Sequence, residues 1–474
     1  MKIITGWSIL LLSLANPADG AAQTVFPGLS DTTPAGHGTM HPCSPEGIDG
    51  DVFCGRFRVF EDRTAASGRM LDLGFVLLKA TDPDAESGQV LIPLPGGPGQ
   101  IFTNDPGYWN RAWAHLRGHN DILVVDVRGV GASEALGCPA FRIPLKDRFG
   151  AVFPPEHIEM CREVLADRAN LELYVTDLAV DDLEELRRWL GYSEVNLTGG
   201  SYGTRVAQVY MRRHPQAVRA VILNSVVPVF KTAYVHMARS LQESLDLVIA
   251  GCREDQTCAS QYPDLDMRLD TVLDHLSERP VEVQLQGETI LFSLGDFSYA
   301  VRGLLYSRAD DVPRMLMAAA DGDWTGLAKY YLERTEWIAQ PDGLAGHHFS
   351  ALCAEDIAPL SDEEVRLYTE GTFMGDHLIS GYRDVCAAWN VAKLAHSWWT
   401  PLQSDLPVLI ISGERDPVTP PSWGDAVSKY LPNSLHIVVA GGGHVPRDAC
   451  LRLVEHQFLA RATVTDLDTA CMAN

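Results

Sequence analysis

Ser201 stands in the run Gly199-Gly200-Ser201-Tyr202-Gly203, and its flanks make this serine a candidate nucleophile. The apolar run Val195-Asn196-Leu197 precedes it, and a helical pattern from Thr204 to His214 follows, stopped by Pro215. Strand, glycine-spaced serine and helix in that order describe a turn so tight that neighbouring side chains must be small. The hydroxyl is then held above the sheet edge. At neutral pH a serine hydroxyl needs a base within hydrogen-bond reach, and that base needs a carboxylate to hold its tautomer. Both should lie further along the chain, in loops after late strands. Leu409-Ile410-Ile411-Ser412 leads into Gly413-Glu414-Arg415-Asp416-Pro417, where Asp416 is the better acid and Glu414 the weaker alternative. Ile437-Val438-Val439 leads into Ala440-Gly441-Gly442-Gly443-His444, which makes His444 the expected base. Charge developing on an attacked carbonyl oxygen requires aimed N–H donors. One is expected from Tyr202, the residue after the serine. The other is expected from Pro95-Gly96-Gly97-Pro98-Gly99, where Pro98 has no N–H and Gly97 has no side chain to block approach.

These residues need a scaffold that delivers distant loops to one place. Short apolar runs recur at Val90–Leu94, Ile122–Val125, Val195–Leu197, Val218–Leu223, Leu406–Ile411 and His436–Val439. Helical patterns fall between them, at Tyr108–Leu116 and at Thr176–Leu190 with Thr176 as N-cap, and a closing helix runs from about Cys450 to Ala460. Such alternation predicts a mostly parallel sheet covered on both faces. With the serine turn inside it, the expected fold class is α/β, an α/β-hydrolase. Phe57–Phe60 and Leu71–Leu78 suggest an opening hairpin, preceded by an irregular lead-in over residues 23–45. From about Pro228 to Trp399 the rhythm breaks into helical, aromatic-rich sequence. The expected organisation is a core over residues 23–227, a large helical cap over 228–403, and the rest of the core over 404–474.

With 474 residues, 46% of them apolar, the chain can bury a large core. Its formal net charge of −24 argues against a nucleic-acid partner, since nothing would offset phosphate repulsion. Lys2, the apolar stretch Trp7–Leu14 and small residues at Ala18, Gly20, Ala21 and Ala22 read as an export signal over residues 1–22. No later segment is long and apolar enough for a stable membrane insertion, so the expected location is secreted or periplasmic. Ten cysteines, an even number, favour disulfides in such a chain, and pairing of sequence neighbours would close five modest loops, although spacing alone leaves connectivity open. The spacings His37/His41 and His115/His119 lack the glutamate of a metalloprotease helix, and no nucleotide or flavin signature occurs, so no metal or cofactor is expected. The sequon Asn196-Leu197-Thr198 falls in the strand before the serine turn, where a glycan has no room.

Three motifs together go beyond a generic hydrolase. Pro95-Gly96-Gly97-Pro98-Gly99, Asp126-Val127-Arg128-Gly129-Val130-Gly131-Ala132-Ser133 and Gly199-Gly200-Ser201-Tyr202-Gly203 resemble the proline iminopeptidase family of serine exopeptidases. Pro95, the cap motifs Cys353-Ala354-Glu355-Asp356 and Cys386-Ala387-Ala388-Trp389, and the run Gly413–Pro421 are most similar to its secreted tripeptidyl aminopeptidase branch. The resemblance implies Ser201, Asp416 and His444 as a catalytic triad, the same three that chain order selects. It also implies that acidic cap residues bind the free α-amino group of a peptide, Glu355 first and Asp356 second. Asn390 departs from the family, which usually has proline after the tryptophan. Arg128 is expected to brace the loops beside the site without touching substrate. The expected activity is a secreted serine aminopeptidase releasing short N-terminal peptides or residues. The alternative is a carboxylesterase acting on small esters with the same residues. A non-catalytic binding protein would not require serine, acid, histidine and glycine loop together, and dehalogenase or epoxide hydrolase chemistry would want an aspartate where Ser201 stands.

Overall fold

Apolar strands buried on both faces need helices on either side, and this chain supplies them in alternation. The computed structural model describes residues 26, 29–30, 32–82, 89–138, 143–150, 153–336 and 345–473. The expected export signal, residues 1–22, lies outside the described residues. Among them, one sheet has nine strands. Numbered in chain order, they lie side by side as β1 (Gly38–Pro42), β2 (Val52–Phe60), β3 (Met70–Leu78), β5 (Asp121–Val125), β4 (Gln89–Leu94), β6 (Glu194–Gly200), β7 (Val218–Asn224), β10 (Val408–Gly413) and β11 (Ser434–Val439). The pairings from β1 to β5 are antiparallel. From β5 to β11 all are parallel. The carboxyl ends of β4, β6, β7, β10 and β11 therefore open on one edge, where ligands of such sheets bind.

One face of the sheet packs on the helices Thr176–Trp189 and Tyr202–Arg213 through Leu183, Leu186, Val206 and Tyr210. The other packs on Trp109 and on Val454 and Phe458 of the helix Ala449–Arg461. Between β7 and β10 lies the cap, whose helices include Ala233–Glu254, Leu294–Ser307, Thr325–Thr335 and His377–Trp389.

Several elements differ from the sequence expectation. The lead-in contains β1, paired with β2 so closely that a Cβ at Gly38 would overlap the Arg56 carbonyl. Thr176 is the first helical residue and Val175 takes the N-cap position, because the Thr176 side chain is engaged elsewhere. The helix expected at Tyr108–Leu116 runs from Pro106 to Ala112, capped by the Asp105 carboxylate on the Tyr108 N–H at 2.8 Å. The cap also holds a hairpin of β8 (Val281–Leu285) and β9 (Glu288–Phe292). Its turn residues Gln286 and Gly287 both have positive φ, 52° and 86°, the geometry that follows strand twist most easily.

Sequence neighbours pair in the disulfides Cys43–Cys54, Cys138–Cys161, Cys252–Cys258, Cys353–Cys386 and Cys450–Cys471. Among the described residues no helix is long and apolar enough to cross a membrane.

The run Asp126–Ser133 fastens the loops that leave the sheet. Asp126 accepts from the Phe102, Thr103 and Ala132 N–H groups at 2.7, 3.2 and 3.0 Å, binding the segment after β4 to the segment after β5. Ser133 donates to the Asp126 carbonyl at 2.7 Å and accepts from Gly74 N–H of β3 at 2.9 Å. Arg128 is fully buried, bidentate to Asp182 at 2.7 Å on both arms, and donates to the Glu61 and Leu173 carbonyls at 2.9 Å. Removing one member of a buried ion pair strands the other. Arg128→Met is expected to destabilise the protein by about 3 kcal/mol, read by denaturant unfolding, with Arg63 as the only remaining partner of Asp182 among the described residues.

Candidate active site

β6 ends at Gly200, and Ser201 follows with φ 56° and ψ −126°, a conformation that residues bearing a Cβ seldom hold. The glycines on either side make the turn possible. A Cβ at Gly199 would overlap the Gly203 carbonyl, and one at Gly203 would overlap the Leu94 carbonyl of β4. The Ser201 N–H donates to the Asn224 carbonyl at 3.0 Å, tying the turn to the end of β7. Tyr202 then opens the helix Tyr202–Arg213, where first-turn amides lack intrahelical acceptors. The Pro95–Gly99 loop lies against this turn. A Cβ on Gly96 would stand 3.8 Å from Ser201 Cβ, and the Gly97 N–H donates no hydrogen bond among the described residues.

His444 follows β11 as expected, and its Nδ1 stands 2.9 Å from both oxygens of Asp416. Its Nε2 is buried with no hydrogen-bond partner among the described residues, and His444 and Ser201 line the same cavity. Asp416 is the acid that meets the histidine. Glu414 instead accepts from the Gly441 N–H at 2.7 Å, holding the glycine run before His444.

Burial opposes the charge on Asp416, but the His444 imidazole and the donors around the carboxylate outweigh it, so its pKa lies below the usual carboxylate range. Those donors are the Val418 and Thr419 N–H groups at 2.9 Å, and the Thr419 and Ser225 hydroxyls at 2.7 Å. Ser225 also accepts from the Val445 N–H at 2.8 Å, so it couples the acid to the histidine loop. Sequence reasoning missed Ser225 and Thr419. The available signal was position, since Ser225 directly follows β7 at the ligand-binding edge of the sheet.

The cavity holds about 660 Å³. Its floor is Gly96, Gly97, Ser201 and His444, and its roof is cap side chains including Tyr234, Tyr299, Arg302, Tyr306 and Tyr382. The Tyr306 ring packs on the His444 ring at 4.8 Å.

A family model described as alpha/beta hydrolase fold matches residues 89–262, and one described as TAP-like protein matches residues 371–471. The chain belongs to the α/β-hydrolases. Serine protease Hip1 of Mycobacterium tuberculosis is 24% identical over 483 residues, covering 90% of this chain and 88% of that protein. Tripeptidyl aminopeptidase of Streptomyces lividans is 29% identical over 192 residues, covering 37% of this chain and 35% of that protein. The crystal structure of proline iminopeptidase from Mycobacterium smegmatis is 15% identical, covering 83% of this chain and 95% of that chain with a TM-score of 0.41. This α/β-hydrolase is a serine hydrolase enzyme.

Glu355 and Asp356 are not where the family resemblance put them, because neither lines the cavity of the hydrolase. Both sit in a π-helical turn, Cys353–Ile357, in the protein interior. Glu355 Oε1 accepts from the Thr176 N–H and hydroxyl at 2.9 and 2.6 Å, and its Oε2 lies 3.8 Å from the Arg205 guanidinium. Asp356 takes Arg205 at 2.5 Å and the Ala233 N–H at 2.6 Å. Both residues are shut off from solvent. Asn390 ends the helix His377–Trp389 with φ 51°, which a proline ring cannot adopt. Asn196 is buried and donates to Asn120 Oδ1 at 2.8 Å, which leaves no place for a glycan.

Ser225→Ala is expected to lower kcat/KM about 10-fold through kcat, because the carboxylate loses one charge-assisted donor while the cavity wall is unchanged. A steady-state comparison with Thr419→Val checks this. A second expectation concerns Glu355, whose pKa burial raises to about 7 against the pull of Arg205 and Thr176. The folded state holds this proton more tightly than the unfolded chain, so its stabilising effect is complete at low pH and is lost as pH rises towards 7. Between pH 5 and 8 wild-type stability should fall relative to Glu355→Gln by up to about 2 kcal/mol, read as a converging or crossing pair of Tm-against-pH curves.

Proposed function

We propose that this enzyme is a serine aminopeptidase that releases short N-terminal peptides or residues through an acyl-enzyme. Ser201 is the nucleophile, His444 the general base and Asp416 its orienting carboxylate, with the N–H groups of Gly97 and Tyr202 as oxyanion donors. One observation carries the reading: the His444 ring is held at Nδ1 by Asp416, and its unpartnered Nε2 belongs to the cavity that Ser201 lines. Ser201 Oγ attacks the scissile carbonyl carbon as Nε2 takes the hydroxyl proton. The C–N bond breaks, and the amine leaves with that proton. Water then attacks the acyl carbon, gives a proton to Nε2, and the Ser201 oxygen departs with it.

The cap supports an exopeptidase over an enzyme that threads long chains. Its tyrosines roof a cavity of about 660 Å³, a volume suited to a small ligand or a few residues of peptide. The TAP-like match and the aminopeptidase relative point the same way. Five disulfides among the described residues support an oxidising location, secreted or periplasmic.

A second reading, a carboxylesterase with the same residues, is favoured by one observation. Asp356 is held by Arg205 and the Ala233 N–H, Glu355 Oε1 by Thr176, and neither residue lines the cavity, so the expected ammonium site is not formed there.

Mass spectrometry of products from free and N-acetylated peptides separates the two. Release of short N-terminal fragments from free peptides only is expected, and Ser201→Ala should reduce the rate about 10⁴-fold or more. Equal cleavage after acetylation would end the aminopeptidase reading, and full activity in Ser201→Ala would end the serine mechanism.

A further inference from the structure

The cavity contains a charge that the proposed chemistry does not use. Arg302 lies on the helix Leu294–Ser307, one turn before the Tyr306 that packs on His444. Its Nε is shut off from solvent with no hydrogen-bond partner, and no carboxylate pairs with its guanidinium among the described residues. What surrounds it is aromatic: its Cζ stands 5.3 Å from the Tyr299 ring centre, and Tyr234, Tyr306 and Tyr382 are its other close electrostatic neighbours. Two of those tyrosines also touch residues of the proposed site. Tyr234 donates to the Gly97 carbonyl of the oxyanion loop at 3.4 Å, and the Tyr306 ring lies 4.8 Å from His444. Arg302 lines the same cavity as Gly97, Ser201 and His444.

The rest of the wall has the same sign. In a chain of net charge −24, the cavity is lined by Arg302, Arg334, Arg447 and Arg452 against Asp448 and Glu455. Glu455 is held by His115 at 2.7 Å, and Asp448 caps the Leu451 N–H at 2.8 Å. Arg334 lies over the Tyr306 ring at 5.9 Å, again with no ion pair among the described residues. A guanidinium stays protonated at any working pH, and holding one in a walled cavity without a counter-ion is costly. A ligand carboxylate meeting the fork of N–H groups removes that cost and adds a directional contact.

We propose that Arg302 is a specificity residue that binds a carboxylate of the substrate, so that the enzyme prefers substrates carrying an anionic group close to the scissile bond. This rests on the reading of Ser201 as nucleophile. Two sources offer that chemistry: the acidic side chain of a residue flanking the scissile bond, and the free terminal carboxylate of a short peptide.

The test uses purified full-length enzyme and matched substrate pairs. One pair exchanges Glu for Gln beside the scissile bond, one exchanges a free for an amidated C-terminus, and one exchanges an aryl ester bearing a carboxylate for its neutral amide-capped counterpart. The wild type is expected to favour the charged member by about 10- to 100-fold in kcat/KM, and the peptide pair that carries the preference identifies the source. Arg302→Gln should collapse that ratio, chiefly through KM, and Arg302→Lys should restore part of it, with circular dichroism verifying the fold of each. Selectivity confined to the ester pair, with both peptide pairs uncleaved, would overturn the peptidase reading and uphold the arginine's role. No preference for charge in any pair, or equal loss on both members of every pair in Arg302→Gln, would overturn the proposal itself.

Discussion

A carboxylate kept ionised away from water sets the terms for this site. Asp416 is 4% exposed, and its charge persists only because hydroxyls, amides and an imidazole from separate loops converge on two oxygen atoms. Ser225 comes from the end of β7, Val418 and Thr419 from the loop after β10, and His444 from the loop after β11. The requirement runs both ways. The loops satisfy the charge, and the charge holds the loops at hydrogen-bond distance from each other. A histidine gripped at Nδ1 then has a fixed ring plane, and its other nitrogen is directed by the same contacts.

The strained turn at Ser201 depends on similar enclosure. Its backbone is held from below by the Asn224 carbonyl and leaves no room for side chains at Gly199 and Gly203. Further out, Asp126 ties the continuation of the Pro95–Gly99 loop to the segment after β5, and the Arg128–Asp182 pair anchors that segment to the helix Thr176–Trp189. Each layer restrains the one inside it.

The cap is fastened by a second buried network, and this explains the fate of the acidic pair. Glu355 reaches Thr176 on one core helix, while Asp356 reaches Arg205 on the helix Tyr202–Arg213 and the first residue of the helix Ala233–Glu254. These contacts set the position of the cap over the sheet edge. Buried ion pairs are a poor source of net stability but a good source of register, because misplaced packing leaves charges unpaired. Glu355 and Asp356 act as fasteners, and the cavity wall includes tyrosines and arginines instead.

How much of this could be read from the chain follows from how local each decision is. Ser201, Asp416, His444 and the Gly97 loop could be nominated from sequence because strand ends and glycine runs mark them within a few residues. Spacing left disulfide connectivity open, and only the fold pairs each cysteine with its sequence neighbour. β1 was missed because Gly-Thr-Met-His-Pro has no apolar alternation and becomes a strand only by lying along β2. Thr176 looked like an N-cap by residue type, but its hydroxyl goes to a glutamate 179 positions away. Glu355 and Arg302 show the boundary most clearly. Both are charged residues on cap helices, and nothing nearby in sequence says which way either points. The amino-acid order alone determined the strand succession and the loops that carry the reacting groups, since these depend on apolar periodicity and turn chemistry. Only the packing of cap helices against the core decided which charges were buried as fasteners and which faced the cavity, because that depends on contacts between segments more than a hundred residues apart.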